Sequence, residues 1–433
     1  MAAKEPVLTT SDGVSFFSWF DPNDGPAERR LIMKLDFFIL AYAFVGFWVL
    51  YIDRGLLINA YISGLREDLG FYDNELVQLN SIYSAGYCTS MIPATLLVTR
   101  YPAKLVLPTA MLGWGVFTIL CYRAQSFSEL AAYRFLIAFI VRRAGVFYVS
   151  SGVGTMTTGL LAARIYQSLD GALGHPGWRW MYIVGASLTF PVAIWGYFSL
   201  PGSPRDGRRW FLTEHEFGLA KERMAIQGRS DPKGLQLSRA TLGRFLGRWH
   251  FWLLVPWNIQ WLLGYASMTT GGPTLWLRSQ PQYTTVQVNN FTAIAPSIGI
   301  VLILTFAWIV DKGGRRAIVP VIASASALHF ISKFAWILYD ETSFGYKWFA
   351  VAINYIEVSL SPINYSVANL ACAGDAEERA FIISSMLAFS TAFSAWVNLL
   401  TFPTVEAPRF LKGYITEAEE KAKEEKLERE SHI

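Results

Sequence analysis

Eleven stretches of this 433-residue sequence are apolar, most for close to 20 residues, and that repetition leaves few folds open. They lie at 35–52, 76–98, 104–122, 128–141, 144–163, 180–200, 251–269, 288–310, 317–338, 347–372 and 380–402. A hydrocarbon core of ~30 Å is crossed by about 20 helical residues. Runs this long and continuously apolar suit helices, whose backbone hydrogen bonds are all made within the segment. Composition agrees: 53% of residues are hydrophobic and 16% charged, against roughly 25% charged in soluble domains. The expectation is an all-α integral membrane protein with eleven visible spans, the fourth too short.

The net charge of +4 says less than its placement. Arg29, Arg30 and Lys34 precede span 1, Arg100 and Lys104 join spans 2 and 3, and Arg142 and Arg143 join spans 4 and 5. Lys312, Arg315 and Arg316 join spans 8 and 9, whereas the opposite loops carry mostly single charges. Positive residues mark cytoplasmic loops, so residues 1–34 are expected to be cytoplasmic, as is the linker 201–250. Residues 1–34 contain no apolar core of a cleavable signal. The linker separates a six-span bundle (35–200) from a five-span bundle (251–402). Within it, "TEHEFGLAKERM" places Thr213 and Glu216 at capping-box spacing ahead of a surface helix. Residues 403–433 read as a charged, solvated tail, with Glu417–Lys421 and Glu419–Lys423 at i,i+4.

"TRYPAK" after span 2 and "DKGGRR" after span 8 are both short turns ending in cations. This echo between halves suits a transporter that holds its substrate at mid-membrane. Cys88, Cys121 and Cys372 fall in or beside apolar runs, so no disulfide framework or metal cluster is expected. Nothing resembles a nucleotide loop or a hydrolase triad. The chain is expected to be no enzyme, to use no cofactor and to bind no nucleic acid, with the bilayer and a small substrate as its partners.

An ionisable group inside a span costs ~2.5–3.5 kcal/mol on insertion scales and commonly marks function. Asp53 and Arg54 lie beyond the middle of span 1, with apolar Gly55-Leu56-Leu57-Ile58 after them. They read either as an interfacial pair or as an acid and an arginine of a proton-coupled anion carrier, in which protonation of Asp53 changes the charge beside Arg54. Arg134, early in span 4, is either a snorkelling side chain or a second cation for a carboxylate. Glu357 and Lys333 are the corresponding oddities of the second half; pairing them across spans 9 and 10 means bridging about one helical turn of 5.4 Å. Asn258, Gln260, Asn290 and Asn354 are candidate polar contacts. The small residues of span 5 (Gly152, Gly154, Gly159, with Ser150, Ser151, Thr155 and Thr158) suit close helix packing, and the aromatics read as belt or lipid-facing.

Several motifs carry a resemblance. "SWFDPNDGPAERRLIMKLDFFIL" (18–40), "YIDRGLLINAYISGLREDLG" (51–70), "YRFLIAF" (133–139), "LDGALGHPGWRWMYIV" (169–184), "DAEERAFIISSM" (375–386) and "FPTVEAPRFLKGY" (402–414) resemble the anion:cation symporter family of the major facilitator superfamily. The likeness is to its fungal pantothenate- and allantoate-type permeases. It implies a two-half bundle of twelve spans, alternating access, and proton-driven uptake of a small carboxylate across the plasma membrane by a monomer. It assigns Asp53, Arg54 and Arg134 to substrate and proton; Glu357 and Asn354 remain the second-half candidates that the residues themselves offer. The superfamily's cytoplasmic gating signature is matched by Asp311, Lys312, Gly314, Arg315 and Arg316. In the first half only Arg100 and Lys104 remain, Thr99 standing for the acid and Pro102 for the glycine.

Against that family the chain departs twice. The seventh position after Arg134, a glutamate in the family, is Val141, and about twenty residues are missing between spans 4 and 5, leaving no room for a usual turn of about 2–8 residues. A single helix over 128–163 would bury Arg142 and Arg143, so two helices are expected; span 12 is missing as well. The alternative to a working symporter is therefore a non-transporting nutrient sensor or a decayed paralogue on the same fold.

Overall fold

A computed structural model describes residues 25–140, 148–201, 207–226, 239–264, 266–372 and 375–416. Six helices run through the N half: α1 (Pro26–Ala60), α2 (Glu75–Arg100), α3 (Ala103–Leu120), α4 (Phe127–Ile140), α5 (Tyr148–Leu169) and α6 (Gly177–Ser199). Two linker helices follow, α7 (Glu214–Ile226) and α8 (Arg239–Leu246). The C half begins with a span in three pieces, α9 (Trp249–Leu263), α10 (Ala266–Thr270) and α11 (Gly272–Ser279). Then come α12 (Thr285–Phe291), α13 (Ile294–Gly313) and α14 (Arg315–Ile337). Another broken span, α15 (Phe344–Ile353), α16 (Ile356–Ser359) and α17 (Ser361–Ala371), leads to α18 (Ala376–Thr401). Among the described residues there is no strand.

Among the described residues, six stretches are long and apolar enough to cross a bilayer on their own: Pro26–Asp68, Lys104–Arg123, Gly177–Ser199, Thr285–Gly313, Arg316–Ile337 and Phe381–Thr401. Pro108, Pro191, Pro256 and Pro320 sit inside helices, where packing against neighbouring spans can satisfy the carbonyls they orphan. The apolar runs understate two spans. The seventh, read as ending at 269, continues past the left-handed Gly271 (φ 80°) to Ser279. The eighth begins at Thr285, where Thr284 and Gln287 form a capping box.

The 131–156 stretch holds two helices. α4 packs on α2 and α3, while α5 packs on α1, α12 and α13. Residues 141–147, with Arg142 and Arg143, lie outside the described residues. The described part of α4, 14 residues, is about 21 Å long at 1.5 Å per residue.

The two ends of the bundle are tied differently. At the linker end, Lys34 of α1 meets Glu216 of α7 at 2.6 Å, and Phe38 stacks on Phe211 with centroids 4.1 Å apart. The capping box forms there: Glu216 accepts from the Thr213 amide at 2.9 Å while its own amide donates to Thr213 Oγ1. Lys34 is the first reason, and the Thr213 amide the second, that the Glu216 carboxyl is held below the usual carboxylate range. On the C half, Glu378 joins Arg248 and His250 (Nδ1 at 2.8 Å).

At the far end the segment after α18 folds back rather than leaving the bundle. Phe402, Phe410 and Tyr414 are buried, and Tyr414 stacks on Trp336 at 5.3 Å. This strap spans both halves: Val405 N donates to Asn74 Oδ1 at 3.3 Å, and Arg409 pairs with Asp340 at 2.9 Å. The part of the sequence-defined tail up to residue 416 thus packs in the core; the charged stretch 417–433 lies outside the described residues.

Candidate functional site

Consecutive helix positions point about 100° apart, and α1 uses that at Asp53-Arg54. Asp53 turns into the N half, only 5% exposed. Its Oδ2 accepts from Trp114 Nε1 of α3 at 2.6 Å and from Thr189 Oγ1 of α6 at 2.9 Å. Its Oδ1 has no hydrogen-bond partner and lies against Gly185, where an added Cβ would stand 2.7 Å away. A glycine is needed for that approach. Both donors serve one oxygen, so Oδ1 is the atom that can take a proton without breaking either bond.

Arg54 points the other way and is exposed. Its guanidinium lies 5.9 Å from the Tyr51 ring and 5.8 Å from the Tyr83 ring of α2. Arg134 of α4 covers the same Tyr83 ring at 4.7 Å; it is 2% exposed, and its Nε has no hydrogen-bond partner. It does not snorkel. Two guanidiniums therefore share one phenol ring, the buried Arg134 contact being worth about 2 kcal/mol and the exposed Arg54 contact about 0.5–1 kcal/mol. Arg134 also lies within electrostatic reach of Asp53. With Asp53 ionised, these three groups sum to +1; with Asp53 protonated, to +2.

The wall beside Arg54 comes from α5. Gly154 lets α5 touch α1, an added Cβ meeting Trp48 O and Tyr51 Cβ at 2.7 Å. Thr157 Oγ1 accepts from Trp48 Nε1 at 3.1 Å. From the C half, Tyr355 arrives at the break between α15 and α16. Its phenol hydrogen-bonds with Ser151 and Thr155, within reach of the Arg54 charge.

The second-half candidates make the following contacts. Asn354 is buried and accepts from Ser267 Oγ at 3.4 Å, and Ser267 in turn accepts from Lys333 Nζ at 2.9 Å. Glu357 is 1% exposed, and its carbonyl accepts from Trp261 Nε1 at 3.2 Å. Asn258 is tied to α18 through Met386 O and Ser390 Oγ, both at 2.9 Å. Gln260 is partly buried on α9, and Asn290 is exposed at the far end, where its neighbour Asn289 makes the contact between halves.

Of the gating candidates, Lys104 is partly buried, and Asp311, Gly314 and Arg316 are exposed at the α13–α14 turn, where Gly314 has φ 60°. Lys312 lies over Trp308 at 4.1 Å. The side chains of Arg100 and Arg315 lie outside the described set. Sequence reasoning missed Tyr83, Trp114, Thr189 and Tyr355. The available signal was polar-capable side chains at span centres: the Tyr83 and Tyr355 phenols, the Trp114 indole and the Thr189 hydroxyl.

A family profile described as Major Facilitator Superfamily matches residues 43–141, stopping where the short fourth span ends. The chain is 34% identical to the vitamin H transporter of Saccharomyces cerevisiae, an alignment taking in 90% of this chain and 69% of that one. To the pantothenate transporter FEN2 of the same yeast it is 30% identical, over 89% of this chain and 80% of the other. This chain belongs to the major facilitator superfamily. Within the superfamily it is a fungal pantothenate-permease-like member, a multi-pass membrane transporter and not an enzyme. The crystal structure of a D-xylose-proton symporter shares the fold, with a TM-score of 0.63 at 14% identity, covering 89% of this chain and 95% of that one. The vitamin H transporter alignment runs over 417 positions, more than 90% of 433 residues can supply. That relative therefore carries residues with no counterpart here.

Proposed function

We propose that this transporter carries a small organic monoanion, a pantothenate- or biotin-like carboxylate, together with a proton, by alternating access across the plasma membrane. One observation carries the reading: Arg54 and Arg134 flank Tyr83 while Asp53, behind them, keeps a proton-accepting Oδ1. The carboxylate would be held by the guanidiniums, whose planar donors match its two oxygens. Protonating Asp53 raises the positive charge the anion meets, and linkage makes the preference mutual. Each ligand thus strengthens the other's binding. The linker end would face the cytoplasm and the strap end the exterior. The curated names of the relatives, vitamin H and pantothenate transporters, support the substrate class.

The test is uptake of labelled pantothenate and biotin into cells lacking their own permeases, at two external pH values and with a protonophore. Uptake that rises with acidity, collapses with the protonophore and vanishes in Asp53→Asn and Arg134→Ala is the expected result. Uptake indifferent to both substitutions refutes it. Val141, in the place where the family has a glutamate, favours a second reading, a sensor that binds without moving its ligand. Saturable binding in membranes with no flux would identify it.

A further inference from the structure

We infer that the linker end of the C half carries a zinc site, with His250, Cys372 and Glu378 as its ligands. The site is independent of cargo and proton, and stands apart from Asp53, Arg54 and Arg134 of the N half. Its three residues come from separate spans. His250 is the second residue of α9, Cys372 directly follows α17, and Glu378 lies in the first turn of α18. Helix phase brings them together, because residues four apart share a helix face. Leu254, Ala368 and Ile382 pack in one buried apolar cluster that includes Cys372. His250 precedes Leu254 by four residues, Cys372 follows Ala368 by four, and Glu378 precedes Ile382 by four. The faces that meet in that cluster thus present an imidazole, a thiol and a carboxylate one turn nearer the linker. Their donor atoms all lie within 4.8 Å of one another.

An ion pair does not account for the sulfur. Arg248 and His250 already meet the Glu378 carboxylate, yet the Cys372 thiol is buried beside them. Thiolate, imidazole and carboxylate form a zinc donor set, whereas magnesium and calcium take oxygen ligands. Zinc bonds of about 2.0–2.3 Å at tetrahedral angles set ligand atoms about 3.3–3.6 Å apart. His250 Nδ1 and Glu378 Oε1 stand at 2.8 Å, and no pair of donors exceeds 4.8 Å. Closing on an ion therefore takes shifts of roughly 1 Å, within reach of side-chain torsions. Arg248 also lies 3.8 Å from Asp375, which can hold its charge when the ion draws on Glu378. On binding, the thiol gives its proton to solvent and the neutral His250 ring keeps its proton on Nε2, so one proton leaves per ion. Cys372 read alone in its apolar run gives no such expectation, because its partner ligands begin other spans.

The test uses the full chain in detergent, without a polyhistidine tag, stripped by a chelator and titrated with Co²⁺ or Zn²⁺ alone. Co²⁺ should produce a thiolate-to-cobalt absorption band, which Zn²⁺ then abolishes by displacement. Zn²⁺ should raise the melting temperature by a few degrees, and its apparent affinity should tighten about tenfold from about pH 7 to 8, as loss of one proton requires. Cys372→Ala should abolish the band, and His250→Ala should weaken Zn²⁺ binding at least tenfold. Cys88→Ala and Cys121→Ala should leave both unchanged. No band overturns the inference, and so does a band that survives Cys372→Ala, which would mean an adventitious ion only. Should His250→Ala fail to accumulate, Cys372→Ala still decides, since it removes one sulfur atom and disturbs no ion pair.

Discussion

Gly86→Ala is the substitution that most directly tests how the two guanidiniums are placed. A Cβ at residue 86 of α2 would lie 2.5 Å from the carbonyl oxygen of Phe135 on α4. Close carbon–oxygen contacts between helices settle at about 3.3 Å, so the helices must part by roughly 0.8 Å. The obstacle is backbone, and no rotamer change relieves it. Arg134 precedes Phe135, and Tyr83 lies one turn before Gly86, so the parting falls on the 4.7 Å contact between them. Overpacking of this kind costs about 1–3 kcal/mol, which a folded transporter survives. A displacement near 1 Å at a binding constellation can cost about 100-fold. We therefore expect Gly86→Ala to be made and inserted, to melt a few degrees lower, and to lose at least tenfold in binding of labelled pantothenate. Gly46→Ala is the control, since nothing lies within 4 Å of its added Cβ, and replacing a mid-helix glycine there should stabilise by about 0.5–1 kcal/mol. If Gly86→Ala binds and transports as the parent does, the account of the site is wrong.

Asp53→Asn can keep the hydrogen bonds from Trp114 and Thr189 through its amide oxygen, so it should leave the melting temperature nearly unchanged while abolishing proton-driven net uptake and sparing substrate exchange. Glu216 is held low mainly by Lys34, so its ionised form stabilises the fold above the ordinary carboxylate range of about 4.3. That contribution fades as pH falls through the lowered value. The stability gap between parent and Glu216→Gln, followed by melting in detergent, should accordingly be full at neutral pH and shrink below about pH 4.3. Glu378→Ala removes the partner of Arg248 and His250 from a site where the acid is 1% exposed, and should cost about 1–3 kcal/mol. Asp340→Ala, in a pair exposed on both sides, should cost under about 1 kcal/mol.

The sequence exposed the charges of the site more readily than the partners that orient them. Asp53, Arg54 and Arg134 stand out in apolar runs because water is excluded there. Their directions depend on helix phase and on neighbours distant in sequence, so the split between Asp53 and Arg54 was not legible. Trp114 and Tyr83 read as belt aromatics until α3 and α2 bring them against Asp53 and Arg134. The strap illustrates the opposite error: prolines and charges around "PTVEAPRFLKGY" look solvated, yet Phe410 and Tyr414 supply core to the C half. "TTGGP" reads as the end of a span, whereas Gly271 is a bend within one. In each case local composition is right about the backbone's freedom and uninformative about what packs beside it.

The placement of Asp53 also governs how acid titrations of this protein are to be understood. Asp53, Arg134 and Tyr83 share one buried region, with Arg54 beside it, so a proton on Asp53 and an anion at the guanidiniums each change the charge the other meets. A midpoint in an uptake-versus-pH curve is then a property of the whole cluster and of the anion bound to it. Changing the substrate should move that midpoint even though no side chain has changed, and comparing two carboxylates at fixed sequence would read the coupling between cargo and proton directly.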